Sequence, residues 1–519
     1  MDVLSALLVE LIVIAVLFEL ARRIGLPYPV LFVVGGLVLG FVPGLPRIAL
    51  QPDLVLLVFL PPLLFSAAFA MPLRELRRNL WPIGRLSVGL VLVTMLVVGV
   101  VVQAIIPGIG WAAAFTVGAI VAPTDALAAT SVFRRLGVPR LAVTLVEGEA
   151  LFNDGVALIA YRTAVLAAVG GGFVLANAVG DFAISAAGGI LFGFGVGWVA
   201  TRVLGWLDDP PVEVIISLLV PFLAYLPADQ LGLSAVLSVI TAGLVIGRRL
   251  GTVLTASSRL LWMTTWKMVG FVLNGFAFIL IGLELPDVLR GVGDPPPLDV
   301  ALLAVAVCAC VIATRMAWVF AASLLPGSPR RAIARQNRSL SWRLAFLVSW
   351  SGLRGAVSLA AALALPTTFP HRNLILLVTF AVIVVTLVGQ GLSLPYVVRW
   401  LRWDGIEADG DEASVARGTM YQVGLDAVAH ARKRWPGHAP LLDRLESGLR
   451  DRDQHLATEN VEETAGRTQE HREHEAIQLG VINAQRAAMI ELRDAGQIND
   501  ETLRAIEREL DLEELRMEA

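Results

Sequence analysis

The stretch Glu147-Gly-Glu-Ala-Leu-Phe-Asn-Asp154-Gly155 runs directly into Val156-Ala-Leu-Ile-Ala160, so three carboxylates head a segment otherwise oily enough to cross a bilayer. Ionisable groups at membrane depth are costly unless something compensates them, which makes them a pointer to transport or proton relay. The fold follows from asking how many such segments there are and how the charges among them are compensated.

Over 519 residues the apolar fraction is 56 %, the charged fraction is 16 %, and mean hydropathy is +0.72, the composition of a polytopic membrane protein. Charge is unevenly placed. Residues 1–403 carry 27 Lys/Arg against 18 Asp/Glu, whereas 404–519 carry 14 against 26, which sets a domain boundary near Asp404. Cys308 and Cys310 lie two apart in an apolar run, where helical geometry sends them in different directions, and imply neither a disulfide nor a metal site. Asp2 stands where a secretory signal would be basic, so the first apolar stretch reads as a retained helix.

A spanning helix needs about 20 apolar residues. Thirteen segments meet or approach that length, at approximately 3–21, 28–43, 52–70, 84–106, 111–131, 143–168, 178–205, 213–226, 231–247, 260–283, 298–324, 344–364 and 373–398. Connections after odd-numbered segments collect arginines, such as Arg22 and Arg23, Arg74 to Arg85, Arg134 to Arg140, Arg248 to Arg259, Arg330 to Arg343, and Arg399 with Arg402. Those after even-numbered segments hold little beyond Arg47, Arg290 and Arg372, so the N-terminus is expected outside and the C-terminal tail in the cytoplasm. Asp208-Asp209-Pro-Pro211, after the seventh, departs from this pattern.

An odd count with a lone middle helix suggests two inverted six-helix halves. The fifth helix of each is interrupted, by Pro123-Thr124-Asp125 in the first and Ser351-Gly-Leu-Arg-Gly355 in the second. Broken helices in matching positions point to a substrate site, because freed backbone dipoles are tolerated where they line a cavity. The tail at 404–519 is expected to be helical and cytosolic, with an amphipathic helix over 471–494 and another after Asn499 that places Leu503, Ile506, Leu510 and Met517 on one face.

At 100° per residue, Asp154 projects with Glu147 and Ala150, and Glu149 with Asn153 about 140° away. A buried Glu149 needs a cation. Arg354, with glycines nearby on both sides, is the expected partner in a structural ion pair. Asp125 opens the second half of the broken helix, where a capping role and a binding role both fit. Asp154 is left without an evident partner, and an unpaired carboxylate in a low-dielectric cavity favours its neutral form, so it is expected to exchange a proton for a cation. A hard monovalent cation wants oxygens, which Asp154, Thr124 and Ser66 supply.

The stretches Leu60-Pro-Pro-Leu-Leu-Phe65, Gly118-Ala-Ile-Val-Ala-Pro-Thr-Asp125, Glu147 to Asp154, Asn274 to Pro286, Gly352-Leu-Arg-Gly-Ala-Val-Ser358 and Gly389-Gln-Gly-Leu392 resemble the sodium/proton exchangers of the first monovalent cation:proton antiporter family. The resemblance implies an all-α homodimer of thirteen-helix chains with crossed discontinuous helices, and a six-helix core that moves against a dimer domain like an elevator. It implies Asp154 as the ion-binding acid, Asn153 beside it, Thr124 and Asp125 on the crossing helix, and Glu149 with Arg354 as the structural pair. An Asn-Asp pair goes with electroneutral one-for-one exchange of Na⁺, or Li⁺ or K⁺, for H⁺ in such exchangers. Some relatives have a serine where Ala150 stands and an acid where Ser66 stands, which makes this site poorer in oxygens.

A plasma-membrane antiporter serving pH and sodium homeostasis is therefore expected, with no cofactor and no nucleic-acid partner. A cation channel would need rings of repeated acids. An intramembrane hydrolase would need a histidine at depth beside Ser351, and His371 lies in a connection. Lys267 is expected to snorkel to the cytoplasmic face. Glu10, Glu213 and Arg315 also lie near membrane depth, without an assigned role.

Overall fold

The computed structural model describes residues 3–42, 52–106, 108–170, 175–291, 297–323, 338–366, 368–402, 410–459 and 479–492, with isolated positions beyond. Two compact units divide the chain, Met1–Asp404 and Gly405–Ala519. Among the described residues every regular element is a helix.

The first unit comprises α1 (Val3–Ile24), α2 (Tyr28–Gly40), α3 (Pro52–Ala70), the short α4 (Leu73–Arg78), α5 (Leu80–Ile105), α6 (Trp111–Val121), α7 (Leu127–Arg135) and α8 (Arg140–Gly170). It continues with α9 (Leu175–Leu204), α10 (Pro210–Gln230), α11 (Ala235–Val253), α12 (Ala256–Gly291), α13 (Pro297–Ser323), α14 (Arg338–Trp350), α15 (Ala356–Leu363) and α16 (Arg372–Trp400). Each of the thirteen expected segments corresponds to one of these helices, or to a broken pair. Eight described helices are long and apolar enough to cross a membrane alone, and shorter apolar helices such as α2 and α6 accompany them. This is a polytopic helical membrane protein.

The eighth segment is longer than expected. Asp209 Oδ1 accepts from the Val212 amide at 3.3 Å, and Pro210-Pro211 occupy the first turn, where proline costs no hydrogen bond, so α10 starts three residues early. With little hydrophobic drive between helices in lipid, close backbone approach sets their packing. At the crossing of α2 and α12, a Cβ on Gly36 would collide with the Ile279 carbonyl, and one on Gly282 with that of Val33.

Two π-turns interrupt the long helices, Arg85–Gly89 in α5 and Val385–Gln390 in α16. Such turns release backbone groups to outside partners. The Arg85 carbonyl accepts from the Trp318 indole at 3.0 Å, and at the second turn it is a side chain that reaches out, the Thr386 hydroxyl accepting from the Arg354 amide at 3.2 Å.

At the interfacial end of α1, Glu19 pairs with Arg22 and Arg23, each at 2.8 Å. Lys267 is exposed. In the second unit α17 (Gly410–Arg434) and α18 (Ala439–Glu459) form a hairpin, tied by Arg432 to Asp443 and Glu446 at 2.7 Å each. The amphipathic helix expected over 471–494 is described from 479 to 492, and the one expected after Asn499 lies almost entirely outside the described residues.

Candidate functional site

Both broken helices open at the positions marked by proline and glycine: α6 stops at Val121 and α7 resumes at Leu127, while α14 stops at Trp350 and α15 resumes at Ala356. The two gaps lie against each other. The Asp125 amide donates to the Leu353 carbonyl at 2.7 Å, joining them by their main chains.

Four half-helix ends therefore meet within apolar surroundings, and each has a charged side chain of complementary sign. Asp125 sits at the positive start of α7, where its Oδ1 accepts from the Leu127 amide at 2.8 Å. It is also pressed against Gly355 at the start of α15, where a Cβ would collide with its Oδ2. At the negative end of α6, Arg354 Nε donates to the Val121 carbonyl at 3.1 Å, and its Nη1 donates to the Gly352 carbonyl. At the end of α14, Arg315 reaches in from α13 and donates to the Ser349 carbonyl at 3.1 Å and the Val348 carbonyl at 2.9 Å.

The Glu149–Arg354 pair expected from the sequence does not form. Glu149 instead makes a two-pronged salt bridge with Arg315, through Nη1 to Oε1 and through Nη2 to Oε2 at 2.8 Å, with both side chains 1 % exposed. The physical reason lies in Gly352. A side chain there would strike the Arg315 shaft, so the glycine makes a slot for an arginine from another helix. Arg354 turns away to the main chain and makes no direct hydrogen bond to Glu149 among the described residues.

Glu149 and Asn153, four residues apart on α8, share a helical phase and meet the same residue. The Thr124 hydroxyl donates to Glu149 Oε1 at 3.0 Å and accepts from Asn153 Nδ2 at 2.7 Å. That interaction fixes the Asn153 amide, and its Oδ1, buried, has no hydrogen-bond partner among the described residues. Asp154 follows, 9 % exposed, with no hydrogen bond or ion pair among the described residues. The Ser66 hydroxyl donates within α3 to the Leu63 carbonyl at 2.8 Å and lies opposite Gly270 of α12.

Glu149, Arg315, Arg354 and Asp125 are thus held by one another or by helix ends, whereas Asn153 Oδ1 and the Asp154 carboxylate have no hydrogen-bond or ion-pair partner among the described residues. A family model described as sodium/hydrogen exchanger, transmembrane, matches residues 9–400. The chain belongs to this family. An uncharacterised Na⁺/H⁺ exchanger of Mycobacterium tuberculosis is similar to it, 36 % identical over 98 % of this chain and 95 % of the relative. A sodium, potassium, lithium and rubidium/H⁺ antiporter of Bacillus pumilus is 34 % identical over 76 % of this chain and 61 % of its own length. Among solved structures, the sodium proton antiporter MjNhaP1 of Methanocaldococcus jannaschii shares the fold with a TM-score of 0.61 at 18 % identity, covering 77 % of this chain and 99 % of that one.

Arg315 is the residue that sequence reasoning left without a role. Its signal was present: a lone arginine in the middle of α13, the span that carries no acid of its own beyond Asp299. Glu10 and Glu213 are buried too, each with an Oε2 that has no hydrogen-bond partner among the described residues.

Proposed function

We propose that the chain exchanges Na⁺ or Li⁺ for H⁺, one for one, by letting cation and proton compete for Asp154. The observation that carries this reading is that oxygens on two successive residues of α8 are uncommitted. Asn153 Oδ1 and the Asp154 carboxylate have no hydrogen-bond or ion-pair partner among the described residues, so both are available to a hard cation, which needs oxygens. When the cation leaves, a proton neutralises the carboxylate in its place, and neither loaded form carries net charge at that residue. Thr124 acts through Asn153, holding the amide so that its oxygen rather than its nitrogen is presented.

Glu149 with Arg315, Asp125 and Arg354 act as the rigid frame. Their charges are satisfied by one another and by helix ends, so they need not titrate during transport. Alternating access is proposed to come from an elevator-like displacement of the helices bearing the crossed breaks, in a homodimer whose N-terminus is outside and whose acidic tail, 404–519, is cytosolic. The loop arginines support that orientation. The breadth of cations named for the Bacillus pumilus relative supports a second reading in which K⁺ is also carried.

The test is exchange in proteoliposomes holding an internal pH dye and pulsed with Na⁺, Li⁺ or K⁺. Dequenching that is unchanged by a valinomycin-clamped potential supports electroneutral exchange. A current that needs no counter-ion would instead mean a channel.

A further inference from the structure

We propose that Arg162 and Asp229 set the access of cations to Asp154 from one face of the membrane, Asp229 cancelling the charge that Arg162 places at the mouth of the route. A cavity of about 380 Å³ lies between α8, α9, α10 and α11. Its α8 wall is a single helical face, Gly155, Leu158, Ile159, Arg162 and Leu166, which begins at the residue after Asp154 and ends toward the C-terminus of α8. The floor is narrow, because Val236 and Leu237 of α11 pack on Gly155, where a Cβ would come within 3.2 Å of Val236.

Arg162 lies seven residues above Gly155, about 10 Å along the axis. A bare guanidinium in that position would repel every cation approaching the floor. Instead Arg162 Nη2 meets Asp229 Oδ1 at the end of α10, at 2.6 Å, with both side chains about half exposed at 54 % and 41 %. Asp181 of α9 lines the same cavity and has no ion-pair partner among the described residues. The three groups sum to one negative charge, and that sum rather than any single contact sets the potential a cation meets. At roughly 10 Å through water a unit charge changes local cation occupancy by about twofold at low ionic strength, fading as the Debye length shrinks.

This rests on the exchange reading above and on the orientation that puts the end of α8 outside. The experiment measures the KM for Na⁺ and the maximal rate from each face, in right-side-out and inside-out vesicles at low ionic strength. Asp229→Asn is expected to raise the outer-face KM about two- to threefold with the rate and the inner-face KM unchanged, and Asp181→Asn to do the same. Arg162→Gln should lower it, and Arg162→Gln with Asp229→Asn should return it to the wild-type value. Unchanged KM in both aspartate variants, equal changes from both faces, or a double variant that keeps the Asp229→Asn defect would each overturn the inference. Asp181→Asn keeps it testable if the loss of the α8–α10 ion pair harms folding. Intact exchange in Asp154→Asn would overturn the underlying reading, whereas lost exchange in Asp154→Asn together with unchanged outer-face KM in Asp229→Asn and Asp181→Asn would overturn this inference alone.

Discussion

Replacing Arg315 with methionine is expected to destabilise the membrane unit more than any other single substitution around the crossed breaks. Glu149, 1 % exposed, would keep its charge without the two-pronged partner, and truncating one side of a buried pair costs about 3–5 kcal/mol. The Val348 and Ser349 carbonyls would lose their donor as well, adding about 1 kcal/mol or more each. The sum, roughly 5–7 kcal/mol, is comparable with the whole stability of many domains. Denaturant unfolding of the detergent-solubilised protein, followed by tryptophan fluorescence, gives the free energies for Arg315→Met, Glu149→Gln and the double variant. Removing both charges leaves no unpaired ion, so the double variant should be more stable than the sum of the singles by about 2 kcal/mol. Additivity to within about 0.5 kcal/mol would refute the pairing. The Glu149→Gln and Arg354→Met cycle should show a smaller coupling, since no direct hydrogen bond joins those residues among the described ones.

Thr124→Val removes the hydroxyl that holds both Glu149 and Asn153, and should raise the KM for Na⁺ about tenfold, the order of one lost hydrogen bond of the stronger kind, with Thr124→Ser close to wild type in the dye assay. Gly355→Ala drives a methyl into the Asp125 carboxylate and should cut exchange by about tenfold or more while circular dichroism stays unchanged, because the backbone of both half-helices remains. Gly36→Leu, at the α2–α12 crossing, should lower the yield of monodisperse protein on size exclusion without any specific effect on cation affinity.

Hydropathy and length were enough to place the apolar helices among the described residues, because a bilayer leaves the backbone few alternatives. The breaks were legible as well, since Pro123 and the Gly352–Gly355 run cannot continue a helix without cost. What failed was pairing across helices. A glycine announces that something approaches closely, but not whose side chain it is. Gly352 and Gly355 flank Arg354 in sequence and yet accommodate Arg315 and Asp125, which arrive from α13 and from the other break. Helical phase within α8 carried further: Glu149 and Asn153 do meet a common partner in Thr124, because that relation is set by local geometry alone. Ser66 donates its hydroxyl to the Leu63 carbonyl of its own helix, a habit of serine in apolar segments that leaves its oxygen lone pairs free and so does not decide whether it is a ligand.

Whether one carboxylate serves both ions is decided by measuring the KM for Na⁺ in proteoliposomes across a series of equal internal and external pH values. Competition at Asp154 requires KM to rise by about tenfold for each unit that pH falls on the acid side, at constant maximal rate, and exchange to vanish in Asp154→Asn. A KM independent of pH, or exchange that survives that substitution, would mean that cation and proton do not share Asp154.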